Sequence, residues 1–158
     1  PLNLLIDLQD GDKIISLYSF KQEEELIIAS KNGYGFIVSF NDLISNRKGG
    51  KQILNLSNDD NAISSAKLEG THIAVIGENK KMIIFGKEEL PRMTRGKGVK
   101  LQKYKEGNLK SVLSFSYDKG LNIIDKNGRS RHFNDIENWL GKRGQAGKKV
   151  PKGFPRNF

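Results

Sequence analysis

The sequence predicts an all-β repeat fold, a propeller-like array of four-stranded blades with about three units in the 158-residue chain. Three observations carry this. The apolar segments are short, mostly about five to seven residues, and rich in Ile, Val, Leu and Phe, which is the pattern of strands and not of helices. Gly- and Asn-containing turns bound most of them. One ordered set of features also recurs three times, its lead arginines 48 residues apart, a period that fits blades built from several short strands.

In chain order, residues 13–19 (KIISLYS), 25–30 (ELIIAS), 34–40 (YGFIVSF), 71–76 (THIAVI), 81–85 (KMIIF), 111–115 (SVLSF) and 121–124 (LNII) read as strands. The turn signals are Gly11-Asp12, Asn32-Gly33, Gly77-Glu78-Asn79, Lys119-Gly120 and Asn127-Gly128. Asn-Gly tolerates positive φ at both residues, so residues 27–38 and 121–133 read as tight hairpins. Residues 134–140 predict the one helix, of at most about two turns, with Asn134 as N-cap, Glu137 completing a capping box and Gly141 ending it. The first twenty residues read as strands of a blade completed elsewhere. Residues 151–158 hold two of the four prolines and read as an extended tail. The units run approximately 1–56, 57–106 and 107–150, and Pro1 marks the chain as a piece of something longer.

The repeat gives each unit the same three features. Phe40, Phe85 and Phe133 end the second strand of a hairpin. An acid and then an aliphatic follow: Asp42-Leu43, Glu89-Leu90 and Asp135-Ile136. A basic, Gly-rich patch closes each unit, led by Arg47, Arg95 and Arg143.

Lys plus Arg number 27 against 18 Asp plus Glu, a net charge of +9. That excess fits a polyanionic partner, nucleic acid or an acidic membrane surface, and fits a plain solubilising surface equally well. The chain has no cysteine, which excludes disulfides, thiolate metal sites and cysteine nucleophiles and suits a reducing cytoplasm. The longest apolar runs are far too short for a membrane-spanning helix, and no signal peptide is read.

The patches are the candidate interface. Arg and Lys supply charge and donors for phosphate oxygens, and glycine lets the backbone approach a phosphodiester closely. One such loop per blade would line a rim that holds duplex DNA by its phosphates, with little base readout. The candidate contacts are Arg47, Lys48, Lys51, Lys80, Lys81, Arg92, Arg95, Lys97, Lys100, Arg129, Arg131, Lys142, Arg143, Lys148 and Lys149. A single such patch would be an ordinary solvated turn; three in register point to a shared partner. Tyr34, Tyr104 and Phe154 lie near cations and either stack on bases or pack at strand edges, the second being the commoner case. Trp139 reads as core. His72 and His132, the only histidines, have no second ligand at metal-binding spacing. Asp10, Asp12, Asp59 and Asp60 read as turn acids. The chain offers no phosphate-binding loop, no Ser/His/Asp arrangement and no active site, so no cofactor is expected of it.

Residues 32–38 (NGYGFIV), 47–55 (RKGGKQILN) and 90–102 (LPRMTRGKGVKLQ) resemble the C-terminal domain of the A-type chain of topoisomerase IV, the ParC family. Residues 139–143 (WLGKR), Ala146-Gly147 and Gly153-Phe154-Pro155 are similar to the ending typical of its alphaproteobacterial branch. The resemblance runs from about Leu5 to Pro155. It implies a β-pinwheel, a ring whose blades exchange strands, binding DNA along a basic outer edge in the cytoplasm and on the chromosome. It further implies a parent that works in a heterotetramer with the B-type chain of topoisomerase IV and a second A-type chain. That parent would use ATP and Mg²⁺ at sites outside this chain to pass one duplex through another, decatenate chromosomes and relax supercoils. The family's catalytic tyrosine lies in a segment this chain does not match. Residues 47–51 (RKGGK) are also close to the glycine-basic box of the DNA-wrapping gyrase A, with Asn46 and Gln52 where that box has Gln and Gly. The rival readings are the gyrase domain itself, a protein-interaction propeller, and a nuclease or hydrolase on a β-scaffold.

Overall fold

The computed structural model describes Ile6 and residues 8–158; Pro1, where the first unit begins, and Leu5, where the resemblance begins, lie outside the described residues. Two four-stranded antiparallel sheets and a two-stranded hairpin account for its ten strands. The first hairpin is β1 (Glu25–Ser30) and β2 (Tyr34–Ser39). β3 (Ala62–Lys67) adds to β1, and β6 (Val99–Lys100) adds to β2, giving the order β3-β1-β2-β6. The second hairpin is β4 (His72–Gly77) and β5 (Lys81–Gly86); β7 (Leu109–Phe115) adds to β4 and β10 (Lys148–Lys149) to β5. β8 (Leu121–Ile124) and β9 (Ser130–Phe133) form the third hairpin.

Each four-stranded sheet therefore takes its outermost strands from later in the chain than its central hairpin. β3, β6, β7 and β10 are the exchanged strands. Both sheets carry the same irregularity on the inner pairing: the register shifts between Ala29 and Ser30 in β1, and between Ile76 and Gly77 in β4.

Side-chain alternation stacks the sheets. On β4, Ile73 and Val75 join Ile27, Ala29 and Ile37 in the cluster between the first two blades. Ala74 and Ile76 join Leu121, Ile123 and Ile136 in the cluster toward the third. β5 divides in the same way, with Ile83 and Phe85 on one side and Met82 and Ile84 on the other. A strand buried on both faces needs an unbroken apolar run, which is what HIAVIG and KMIIFG are. Each fully buried aliphatic contributes about 1.5–3 kcal/mol relative to exposure. On β8, Leu121 and Ile123 are buried while Asn122 and Ile124 face solvent, so this hairpin packs on one face only.

Two sequence expectations are corrected. Residues 13–19 form no strand: they run as irregular chain with Ile14, Ile15 and Leu17 exposed, touching β3 through Ser16 and Tyr18 hydroxyls that meet Ser65 Oγ, both at 2.8 Å. Those are side-chain contacts and build no backbone ladder. The helix over 134–140 shrinks to one 3₁₀ turn, Glu137–Trp139, without a side-chain cap. Asn134 gives its amide oxygen to His132 Nε2 instead of capping the turn. Similar short turns follow the other two hairpins, a single α-helical turn at Phe40–Leu43 and a 3₁₀ turn at Lys87–Glu89. A single helical turn thus follows each of β2, β5 and β9, taking in Asp42-Leu43 and Glu89 in the first two units but beginning just after Asp135-Ile136 in the third.

Candidate nucleic-acid interface

The basic loops ride on one edge of the sheets. Residues 92–98 leave a bridge between Ile37 and Arg92 and return at β6, whose Val99 and Lys100 pair with Gly35 and Tyr34. Residues 140–147 do the same one blade on: Leu140 bridges Ile84, and Lys148 and Lys149 pair with Met82 and Lys81. Both loops descend onto the strand through a glycine. Gly98 and Gly147 have φ of +81° and +75°, and a Cβ there would collide with the carbonyl oxygens of Gly35 and Met82 respectively.

The loops also touch one another in series. Gly96 N–H donates to Ile53 O at 2.9 Å and Asn55 N–H to Gly96 O at 2.8 Å, which ties the second patch to the strap following the first. Gly144 N–H donates to Leu101 O at 2.8 Å, which ties the third to the strap following the second. Arg47 and Arg95 consequently line one groove of about 540 Å³ together with Lys51, Gln52 and Ile44. Lys51 is fixed there by donating to Asp42 O at 2.7 Å.

The predicted contacts divide by what their side chains already hold. Arg47, Lys48, Arg95 and Lys97 are exposed, as are Lys80 on the β4–β5 turn, Lys142, Lys148 and Lys149. Arg129 and Arg131 are exposed on the third hairpin. Lys81 is half-buried at the start of β5. Arg92 is exposed but forms a two-pronged pair with Glu25, at 2.6 and 3.1 Å, and this hydrogen bonding holds its guanidinium above the usual range. Arg143 is half-buried, and its Nε and Nη1 donate to Glu89 O and Lys100 O at 2.9 and 2.7 Å. Those two carbonyls, which fix the third patch against the second unit, have no signal in the sequence.

The aromatics sort similarly. Lys97 and Lys100 place their ammonium groups 4.2 and 4.7 Å from the Tyr34 ring centroid. Tyr104 is wedged beside the turns at Gly33 and Gly77, and burial, then the Glu78 charge, pushes its phenol well above the ordinary range. Phe154 packs against Phe133 and Phe158. Trp139 sits on the cluster between the second and third blades and donates to Lys149 O. Asp60 is buried and accepts from the backbone N–H of Asn32 and Asn61, the work of a turn acid. His72 meets the Thr71 hydroxyl, and His132 meets Asn122 and Asn134. Among the described residues no group of three or more His, Cys, Asp or Glu side chains could hold a metal ion, and no helix is long and apolar enough to cross a membrane.

Stacked four-stranded antiparallel sheets that exchange strands, with a basic loop on the same edge of each, define a propeller-type repeat domain. The family described as the DNA gyrase C-terminal domain, beta-propeller, matches residues 24–67 and 72–109, and the chain belongs to it. The A-type chain of DNA topoisomerase 4 from Caulobacter vibrioides is 47% identical over 157 residues, covering 99% of this chain and 21% of the relative. Its counterpart from Rickettsia conorii is 37% identical over 156 residues, with the same two coverages. The chain thus spans about a fifth of the length of these relatives. Among solved structures, the E. coli ParC C-terminal domain superposes with a TM-score of 0.78 at 24% identity, covering 99% of this chain and 67% of that one. A gyrase A C-terminal domain superposes at 0.74 and 23%, covering 96% and 54%. The resemblance to the ParC C-terminal domain and the all-β pinwheel expectation both hold.

Proposed function

We propose that this domain binds and bends duplex DNA without sequence specificity, holding its phosphates along the edge that carries the basic loops. The observation that supports this best is the shared groove: Arg47 and Arg95, 48 residues apart in sequence, line it together with Lys51. The side chains of Arg47 and Arg95 make no hydrogen bond or ion pair to another described residue, so their donors face outward. Glycines in the loops bring backbone close to a phosphodiester, and the succession of loops from blade to blade favours a curved path for the DNA.

In this reading the chain is the DNA-gathering part of a topoisomerase IV ParC chain. The parent would act with the B-type chain and a second ParC on the chromosome, in the cytoplasm, coupling ATP hydrolysis to strand passage, decatenation and supercoil relaxation. ATP and Mg²⁺ would act elsewhere in that assembly.

The test is binding of the 158-residue chain to linear and supercoiled duplex DNA across a salt series. Affinity is expected to fall steeply with salt and to ignore sequence. The double charge reversal Arg95→Glu with Lys97→Glu is expected to weaken binding to all sequences alike and to flatten the salt dependence by about 0.9 per lost phosphate contact. No binding at low salt would overturn the reading in favour of a protein partner; binding by the variant equal to that of the parent chain would remove the middle patch from it.

A further inference from the structure

We infer that Tyr34 is a positioning residue which holds Lys97 and Lys100 as one preset pair of phosphate contacts on the first blade. The inference rests on the DNA-binding reading and deepens it.

The two blades are built alike at this point, and the rung that opens the central strand differs in one side chain. β2 opens at Tyr34 and β5 opens at Lys81, each directly after the turn of its hairpin. Each pairs with the outer strand, Tyr34 with Lys100 and Lys81 with Lys149. The second blade therefore has a lysine on both strands at this rung. The first has an aromatic ring on one strand, and that ring gathers two lysines from the other side: Lys97 at 4.2 Å and Lys100 at 4.7 Å from its centroid. An ammonium within about 6 Å of a ring is attracted to its electron-rich face.

The surroundings fix one lysine and leave the other outward. Lys100 is half-buried, donates to Asn32 O at 2.7 Å and lies 5.7 Å from the Tyr104 ring. Lys97 is exposed, and its ammonium meets the Tyr34 ring. All these groups border one open polar cleft of about 370 Å³, which Asn108 and Asp59 also line. Two ammonium groups converging on one ring repel each other. Without the ring Lys97 would swing away while Lys100 stays on Asn32 O, and binding would then have to order the long Lys97 side chain. With it, that entropy is already lost before binding, and a phosphate oxygen meets two charges in place. A phenyl ring holds the pair as a phenol does, because the contact is made to the face and not to the hydroxyl.

The experiment compares the parent chain with Tyr34→Leu and Tyr34→Phe in the same salt-series titration, with thermal melts to confirm folding. Tyr34→Leu is expected to bind roughly threefold to tenfold more weakly, with a salt slope shallower by about 0.9 because Lys97 no longer keeps its phosphate contact, while Tyr34→Phe keeps both affinity and slope. A merely structural tyrosine would lower the melting temperature and leave the slope of the folded protein unchanged; that result overturns the inference. Lys97→Gln changes an exposed side chain without touching a packed ring, so it remains informative if Tyr34→Leu fails to fold. It is expected to lower the slope by about 0.9, and an unchanged slope overturns the inference. A parent chain that does not bind DNA at all overturns the underlying reading, which is a different result from binding that ignores Tyr34.

Discussion

Gly33 and Lys80 hold the same place in sister hairpins: each N–H closes a turn onto the residue three before it, Ser30 O and Gly77 O, both at 3.0 Å, and each has positive φ, +90° and +59°. Lys80 is the one non-glycine described residue in that conformation. A side chain there costs about 1–2 kcal/mol, so the fold carries strain in order to have a lysine at the tip of the second blade. Lys80→Gly is expected to stabilise the domain by about 1 kcal/mol, read as a higher urea midpoint, and to weaken DNA binding with a salt slope shallower by about 0.9. A variant that is less stable than the parent chain would show that the turn does not strain Lys80.

Arg143 and Arg95 share a sequence register and differ in what they hold. Arg143 donates to Glu89 O in the 3₁₀ turn after β5 and to Lys100 O in β6, whereas Arg95 is exposed and makes no bond to another described residue. Charged hydrogen bonds of this kind contribute roughly 1.5–3 kcal/mol when the partner is left unpaired. Arg143→Ala is expected to cost about 2 kcal/mol of stability, and Arg95→Ala to stay within about 0.5 kcal/mol, both measured by urea unfolding. In DNA binding the order should reverse, with Arg95→Ala the weaker binder once both are folded. Equal stability losses would mean that the structural staple at Arg143 is not formed.

That pair also marks the limit of what the sequence makes legible. The hairpins at Asn32-Gly33 and Asn127-Gly128 are readable because positive φ narrows the choice of residue, and the 48-residue spacing of Arg47, Arg95 and Arg143 is readable because blades repeat. The strand exchange comes from the family resemblance and not from any local pattern, since residues 111–115 look like any other short strand and β3 (AISSAK) has no apolar run that marks it as one. What each repeated arginine does depends on whether a preceding unit supplies carbonyls within its reach, and nothing local records that. Residues 13–19 mislead because an apolar, β-prone run becomes a strand only where a neighbouring backbone is free to pair. At 134–140 the capping pattern is intact, but His132 competes for the Asn134 side chain.

Tyr104 links the fold to pH. Its ring lies so close to two hairpin turns that a Cβ on Gly33 or Gly77 would fall 2.7 or 2.8 Å from it, while its hydroxyl is buried with no hydrogen-bond partner among the described residues. Burial, then the Glu78 charge, raises its pKa in the folded state. An unfolded tyrosine ionises near pH 10. Below that pH both states hold the proton and the ionisation of the group adds nothing to the pH dependence of stability. Above it the unfolded chain releases the proton and the folded chain retains it, so stability falls as pH rises. Tyr104→Phe keeps the ring and removes both the orphaned hydroxyl and the titration. It is expected to gain about 1 kcal/mol at pH 7, and its advantage should widen as the pH passes about 10. Every other group is common to both proteins, so the difference between their urea midpoints at each pH isolates the phenol. A difference that stays constant from neutral to alkaline pH would mean that the Tyr104 hydroxyl reaches solvent in the folded domain.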